Sequence, residues 1–149
     1  MCIRDSNWGN IKSPEDFEKP CELAVRGLDA LLSYQDYPLI AAELATDNRR
    51  PLGVGIINFA YWLAKNDTNY TDPNLELVDE WAEAWSYYLI KASNKLAKEI
   101  GPCPKSDETK YGHGVVPIDT RKTEIDELCL LYTSPSPRDL STSRMPSSA

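Results

Sequence analysis

Four cysteines and a single histidine are the side chains best suited to chemistry in this sequence, and their spacing decides what they can do. Cys2, Cys21, Cys103 and Cys129 form no C-x-x-C pair, and one histidine is too few to complete a zinc set with them. In a cytoplasmic setting they stay reduced, and Cys103, just past a helix end, reads as a packing residue. His113 lies between two glycines in a polar loop. No carboxylate or nucleophile is tied to it by spacing, so it reads as an exposed loop residue rather than a general base. Gly53-x-Gly55 has the form of a dinucleotide loop, but Asn58 stands where the third glycine belongs and no ribose-binding acid follows. Close backbone packing is the better reading. Trp81, Trp85, Tyr87 and Tyr88 have the redox chemistry of a radical relay, yet the tryptophans fit core packing without it. Glu76, Asp79, Glu80 and Glu83 form a solvated face that complements a helix dipole. No catalytic, cofactor-binding or metal-binding residue is assigned.

The elements that would position such groups are clearer. Residues 49–65, RRPLGVGIINFAYWLAK, read as a buried strand, Leu52 to Ile57, turning straight into a buried helix. Asn58 stands between them as a good N-cap. Ser13-Pro14-Glu15-Asp16 is a helix start. Leu23, Val25, Leu28, Leu31 and Leu32 follow at helical spacing through about Tyr34. Pro20 predicts a kink near Lys19 or a helix that begins properly after it. Gln35-Asp36-Tyr37-Pro38 ends that helix. Leu39 to Leu44 suggests one helical turn, with Thr46-Asp47-Asn48 a loop. Asp72-Pro73 opens the longest helix as N-cap and first helical residue. Val78, Trp81, Trp85, Leu89, Ala92 and Leu96 give it one apolar stripe, and Gly101-Pro102 stops it. Val115-Val116-Pro117-Ile118 is expected to be extended.

Composition sets the class. The chain has 149 residues, 42% hydrophobic and 26% charged, enough for one domain with a sizeable core. Its net charge of −7 argues against nucleic acid, which needs clustered Lys and Arg. The one basic cluster, Arg49-Arg50, reads as a solvated or carboxylate-paired loop. No apolar run approaches the ~20 residues of a membrane span, and MCIRDSNWGN lacks the apolar core of a signal peptide. A cytoplasmic location is expected. The last stretch, from Tyr132, is rich in Ser, Pro and Thr with no apolar period, which predicts disorder.

Several blocks together carry a family resemblance: LAVRGLDALLSYQDYP (residues 23–38), RRPLGVGIINFAYWLAK, YYLIKASNKLAKEIGPCP (residues 87–104) and Gly114-Val115-Val116-Pro117-Ile118-Asp119-Thr120. In one register over residues 7–127, the chain resembles the large, catalytic subunit of aerobic ribonucleotide reductase. MCIRDS and residues 129–149 instead resemble translated sequencing-adapter tails. The division expected is therefore a head at 1–6, a barrel-domain fragment at 7–128 and a disordered tail at 129–149.

The resemblance implies a parent of α/β class, a ten-stranded α/β barrel, of which this fragment is mostly α-helical with one short buried strand and disordered ends. It implies reduction of ribonucleoside diphosphates by thiyl-radical chemistry. The implied partners are a metal-containing small subunit that supplies the radical, thioredoxin or glutaredoxin as reductant, and a second copy in a homodimer. Nucleotide effectors, ATP and dNTPs, act on the parent; no cofactor is expected in the fragment, and neither nucleic acid nor membrane is a partner. The family's Asn-x-Cys-x-Glu finger loop lies upstream of Asn7, and its phosphate loop, relay tyrosines and C-terminal redox cysteines lie downstream of Glu127. Cys2 falls one residue short of a family redox cysteine and is given no role. The fragment alone is expected to be inactive. A non-catalytic helical interaction module of the same ancestry is the other reading.

Overall fold

The computed structural model describes residues 2–115, with side chains described from Asp5 onward. The expectations for Val116 to Ile118 and for the tail lie outside the described residues. The chain begins with β1 (Cys2–Asn7), a 3₁₀ turn (Trp8–Asn10) and a second one (Pro14–Phe17). It continues through α1 (Glu18–Tyr34), α2 (Ile40–Arg49), β2 (Leu52–Ile57), α3 (Phe59–Lys65) and α4 (Leu75–Ile100).

Among the described residues two strands are present where one was expected. β1 and β2 pair in parallel, Cys2 with Leu52 through to Asn7 with Ile57. A parallel pair needs a crossover, and α1 with α2 supplies it. The first six residues lack an apolar alternation, so only the ladder with β2 makes them a strand. Nor is β2 buried on both faces. Ser6 accepts a hydrogen bond from Trp85 Nε1 at 3.3 Å, and Leu52 packs on Val25, Ala92 and Leu96. Side chains alternate along a strand, so Ser6, Leu52 and Val54 share the face toward α1 and α4, with Ile56 at its exposed end. Asp5, Asn7, Gly53, Gly55 and Ile57 share the opposite face, where Asp5 and Ile57 are exposed.

Helix boundaries follow local chemistry. Ser13 N donates to Asp16 Oδ2 at 3.1 Å ahead of the second 3₁₀ turn. α1 starts at Glu18, which leaves Pro20 in its first turn, where a missing N–H costs no helical bond. α2 is longer than the single turn expected and takes in Thr46, Asp47 and Asn48. Thr46 is buried there, and Arg50 ends the helix in a left-handed conformation, φ 42°. Tertiary contacts outweigh the weak helix propensity of Asp and Asn. α4 begins at Leu75 rather than at Pro73. Its cap is Asn74, whose side chain accepts from Leu77 N at 3.2 Å, and Gly101 ends it at φ 90° as expected.

The core forms where α1 lies against α4. Trp8, Phe17, Cys21, Trp62, Leu63 and Trp81 make its main cluster. Trp8 sits at its centre, 5.4 Å from both Phe17 and Trp62, 5.7 Å from Phe59 and 6.1 Å from Trp81 between ring centroids. The helix pair is also tied by charge: Lys91 to Glu18 at 2.6 Å, Lys95 to Glu22 at 2.8 Å, and Arg26 to Glu99 through two bonds of 2.7 and 2.8 Å. The lysines late in α4 thus serve a neighbouring helix as well as their own dipole.

Candidate functional site

In parallel α/β structures, ligands are held outside the carboxyl ends of the strands. Here those ends are Asn7 and Asn58, which stand at the last residue of β1 and just past β2. Asn58 Nδ2 donates to Asn7 Oδ1 at 3.1 Å. Asn58 occupies the N-cap position of α3, as expected, but it does not cap. It is left-handed, φ 61° and ψ 27°, with no side-chain bond to the helix. Its carboxamide turns instead to the neighbouring strand. Gly9 lies beneath the pair: a Cβ there would overlap the Asn58 amide and stand 2.6 Å from Tyr61 Cδ1. Glycine is what permits this close approach. Tyr61, 56% exposed, completes the group.

This cluster escaped the sequence reading because its parts are 51 residues apart. A signal existed: an asparagine followed by an aromatic stands at the end of β1 and just past β2, Asn7-Trp8 and Asn58-Phe59.

Among the described residues, the cysteines and the histidine considered from sequence are not brought together, and the side chains of Cys2 and Cys129 lie outside the description. Cys21 is fully buried, its thiol 3.9 Å from the Trp85 carbonyl, and burial pushes its pKa up to about 12. Cys103 is buried as well, which agrees with a packing role. His113 is exposed. Trp81 is in the core and Trp85 is packed against it. Tyr87 and Tyr88 have ring centroids 5.2 Å apart, with Lys91 Nζ 5.5 Å from the Tyr88 centroid. Burial raises the Tyr88 pKa, with Glu18 adding to it. Arg49 and Arg50, expected in a loop, are the last residue of α2 and its cap, and both are carboxylate-paired: Arg49 with Glu108, Arg50 with Asp29 at 2.7 Å. Among the described residues, no group of three or more His, Cys, Asp or Glu could hold a metal, and no helix is long and apolar enough to cross a membrane.

A 390 Å³ cavity lies at the other end of β2, lined mainly by apolar groups including Val25, Leu52, Val54, Leu89 and Tyr111. Arg50 borders it but is engaged with Asp29 and Ser33.

Residues 6–143 match the family described as "Ribonucleotide reductase, barrel domain". The ribonucleoside-diphosphate reductase subunit alpha of Haemophilus influenzae is 50% identical over 123 residues, 82% of this chain and 16% of the relative. That of Buchnera aphidicola from Acyrthosiphon pisum is 48% identical over 124 residues, 83% of this chain and 16% of the relative. The subunit alpha of Enterobacteria phage T4 is 48% identical over 117 residues, 76% of this chain and 15% of the relative. The chain therefore spans about a sixth of the length of these relatives. A match over most of the chain, with half of the aligned residues identical, means that the chain belongs to the ribonucleotide reductase barrel-domain family.

Proposed function

We propose that this chain is a section of barrel wall from the large subunit of a ribonucleoside-diphosphate reductase. The observation that carries the reading is the family match over residues 6–143, joined by relatives named for that activity at about 50% identity. The local architecture supports it. A parallel strand pair with helices on one face only is what a barrel wall requires, its bare face turned to the interior. In a ten-stranded parent this segment contributes two strands, and α1 and α4 lie outside them.

The whole protein's reaction replaces the ribose 2′-hydroxyl by hydrogen. A thiyl radical takes a ribose hydrogen and later returns one, the hydroxyl leaves as water, and two cysteine thiols become a disulfide. The substrate is a ribonucleoside diphosphate. A small subunit supplies the radical, thioredoxin or glutaredoxin restores the thiols, and ATP and dNTPs regulate a homodimer. The residues described here do not fit a metal centre, since their Cys, His and acid side chains form no ligand set. The chain's own contribution is structural support and the carboxyl-end cluster.

A hybrid tests the reading: residues 7–115 replace the aligned segment in the Haemophilus influenzae subunit, assayed with its small subunit. Retained reduction of cytidine diphosphate is expected, whereas the 149-residue chain alone gives none. A folded hybrid without turnover overturns the proposal.

A further inference from the structure

We infer that the free flank of α1, formed by Leu23, Gly27, Leu31 and Tyr34, is a docking face for another outer helix of the same large subunit, supplied by the part of that protein which this chain does not cover. The inference rests on the barrel-wall reading above, because it takes the covering helix from that barrel.

At 3.6 residues per turn, the side chains of α1 fall into three bands. Cys21, Val25, Leu28 and Leu32 are buried in the core. Glu18, Glu22 and Arg26 form the second band and pair with Lys91, Lys95 and Glu99 of α4. Leu23, Gly27, Leu31 and Tyr34 form the third, about a third of a turn beyond the charged one. All four are exposed, Leu23 by 62% and Tyr34 by 88%. Ala30 lies within this band, and no charged side chain interrupts it. A surface helix ordinarily sets one apolar face against a polar one. α1 instead has two apolar faces, with its charges turned toward α4. A single exposed leucine is ordinary, whereas a continuous apolar band marks a contact.

Gly27 adds a second observation. Glycine weakens a helix interior, and a Cβ at this position would meet nothing within 4 Å. No neighbour in this chain requires a glycine there. Between Leu23 and Leu31 it leaves a saddle that admits the ridge of an adjacent helix.

Closure of the wall names the occupant. In a closed α/β barrel the outer helices form a ring, so each lies between two others. α4 stands on one side of α1. The other side falls to chain outside this segment, which spans 16% of the Haemophilus influenzae relative. The covering helix therefore carries an apolar stripe of its own; a phosphate or an acidic peptide would find no counter-charge on this face.

The experiment places Leu23→Cys and Leu31→Cys separately in the 149-residue chain and in the hybrid subunit, and follows iodoacetamide labelling by mass-spectrometric mapping. In the chain, both introduced thiols should label at the rate of an exposed cysteine. In the monomeric hybrid without its small subunit, labelling should be slower by about tenfold or more, because the covering helix must first open. Ala30→Cys, a small change in the same band, takes their place where a leucine variant of the hybrid does not fold. Equal rates in the two proteins leave the face bare and overturn the inference. Protection that appears only in the homodimer, or only when the small subunit is added, gives the face to another chain and overturns it as well. Turnover separates the two claims. A hybrid that reduces cytidine diphosphate while its introduced thiols label at full rate fails the inference alone, and a protected hybrid without turnover fails the functional reading alone.

Discussion

Arg50 joins two features that a substitution can separate: a left-handed backbone and a half-buried ion pair. Its Nε donates to Asp29 Oδ1 at 2.7 Å, and its Nη2 donates to the Asp29 carbonyl at 2.7 Å and to Ser33 Oγ at 2.6 Å. The two side chains are 16% and 8% exposed. Removing one partner of a buried pair costs about 3–5 kcal/mol; an exposed pair is worth about 0–1 kcal/mol. At these exposures Arg50→Ala is expected to cost about 3 kcal/mol. Arg50→Gly loses the same three bonds but relieves a left-handed conformation that burdens other residues by roughly 1–2 kcal/mol. It should therefore cost only about 1–2 kcal/mol. Urea unfolding followed by tryptophan fluorescence and far-ultraviolet circular dichroism reads both. The reasoning fails if alanine costs under about 1 kcal/mol, or if glycine is no better tolerated than alanine.

The aromatic cluster predicts that Trp62→Ala loses about 3–5 kcal/mol in the same assay, since Trp62 is fully buried and 5.0 Å from Trp81. Trp62→Phe should lose much less, because the buried indole N–H has no hydrogen-bond partner to forfeit. Acid should weaken the fold through three carboxylates. Lys95 and Arg26 lower the Glu22 pKa, Arg26 lowers that of Glu99, and Lys105 lowers that of Glu108. The stability they contribute is present above the unfolded carboxyl value of about 4.3 and is lost as pH falls through their lower folded values. Urea midpoints that decline below about pH 4.3, and decline less in Glu22→Gln, check this. The Cys21 thiol, raised to about 12 by burial, should resist iodoacetamide at about pH 8 until urea is added. Because its neutral form is the folded one, stability should also fall as pH rises through the unfolded thiol value of about 8.5. Mass-spectrometric mapping follows the first effect, and urea midpoints at alkaline pH follow the second.

What could be read in the sequence was what local chemistry determines. Of the expected α4 stripe, Trp81, Ala92 and Leu96 are buried and Val78, Trp85 and Leu89 are partly buried against the core, and Gly101 stops the helix where a positive φ was needed. Pairing across distance was not legible. Nothing local in Cys2 to Ser6 declares a strand; the ladder with Leu52 to Ile56 makes one. Asn58 was correctly placed at a helix start, but its partner Asn7 lies on another strand, so the diversion of its side chain was invisible. Arg50 has no sequence mark of a left-handed cap, because the cause is Asp29, 21 positions away. The candidate site was hidden for the same reason: it is made by register, which a single strand cannot show.

The apolar run Leu52-Gly53-Val54-Gly55-Ile56-Ile57 looked buried on both faces, and the structure divides it. Leu52 and Val54 meet the helices, while Gly53, Gly55 and Ile57 share the face that α1 and α4 leave uncovered. If that face is the interior of a closed wall, one substitution should behave differently in two settings. Valine exceeds glycine in strand preference by up to ~1 kcal/mol, so Gly55→Val should leave the 149-residue chain as stable as before or slightly more so. In the hybrid subunit the same valine projects into a filled interior, where overpacking costs about 1–3 kcal/mol, and its melting temperature should fall. An equal response in the two proteins would remove the barrel-wall placement, whatever the hybrid's turnover. An opposite response would show that the glycines keep that face open for what the rest of the barrel puts there.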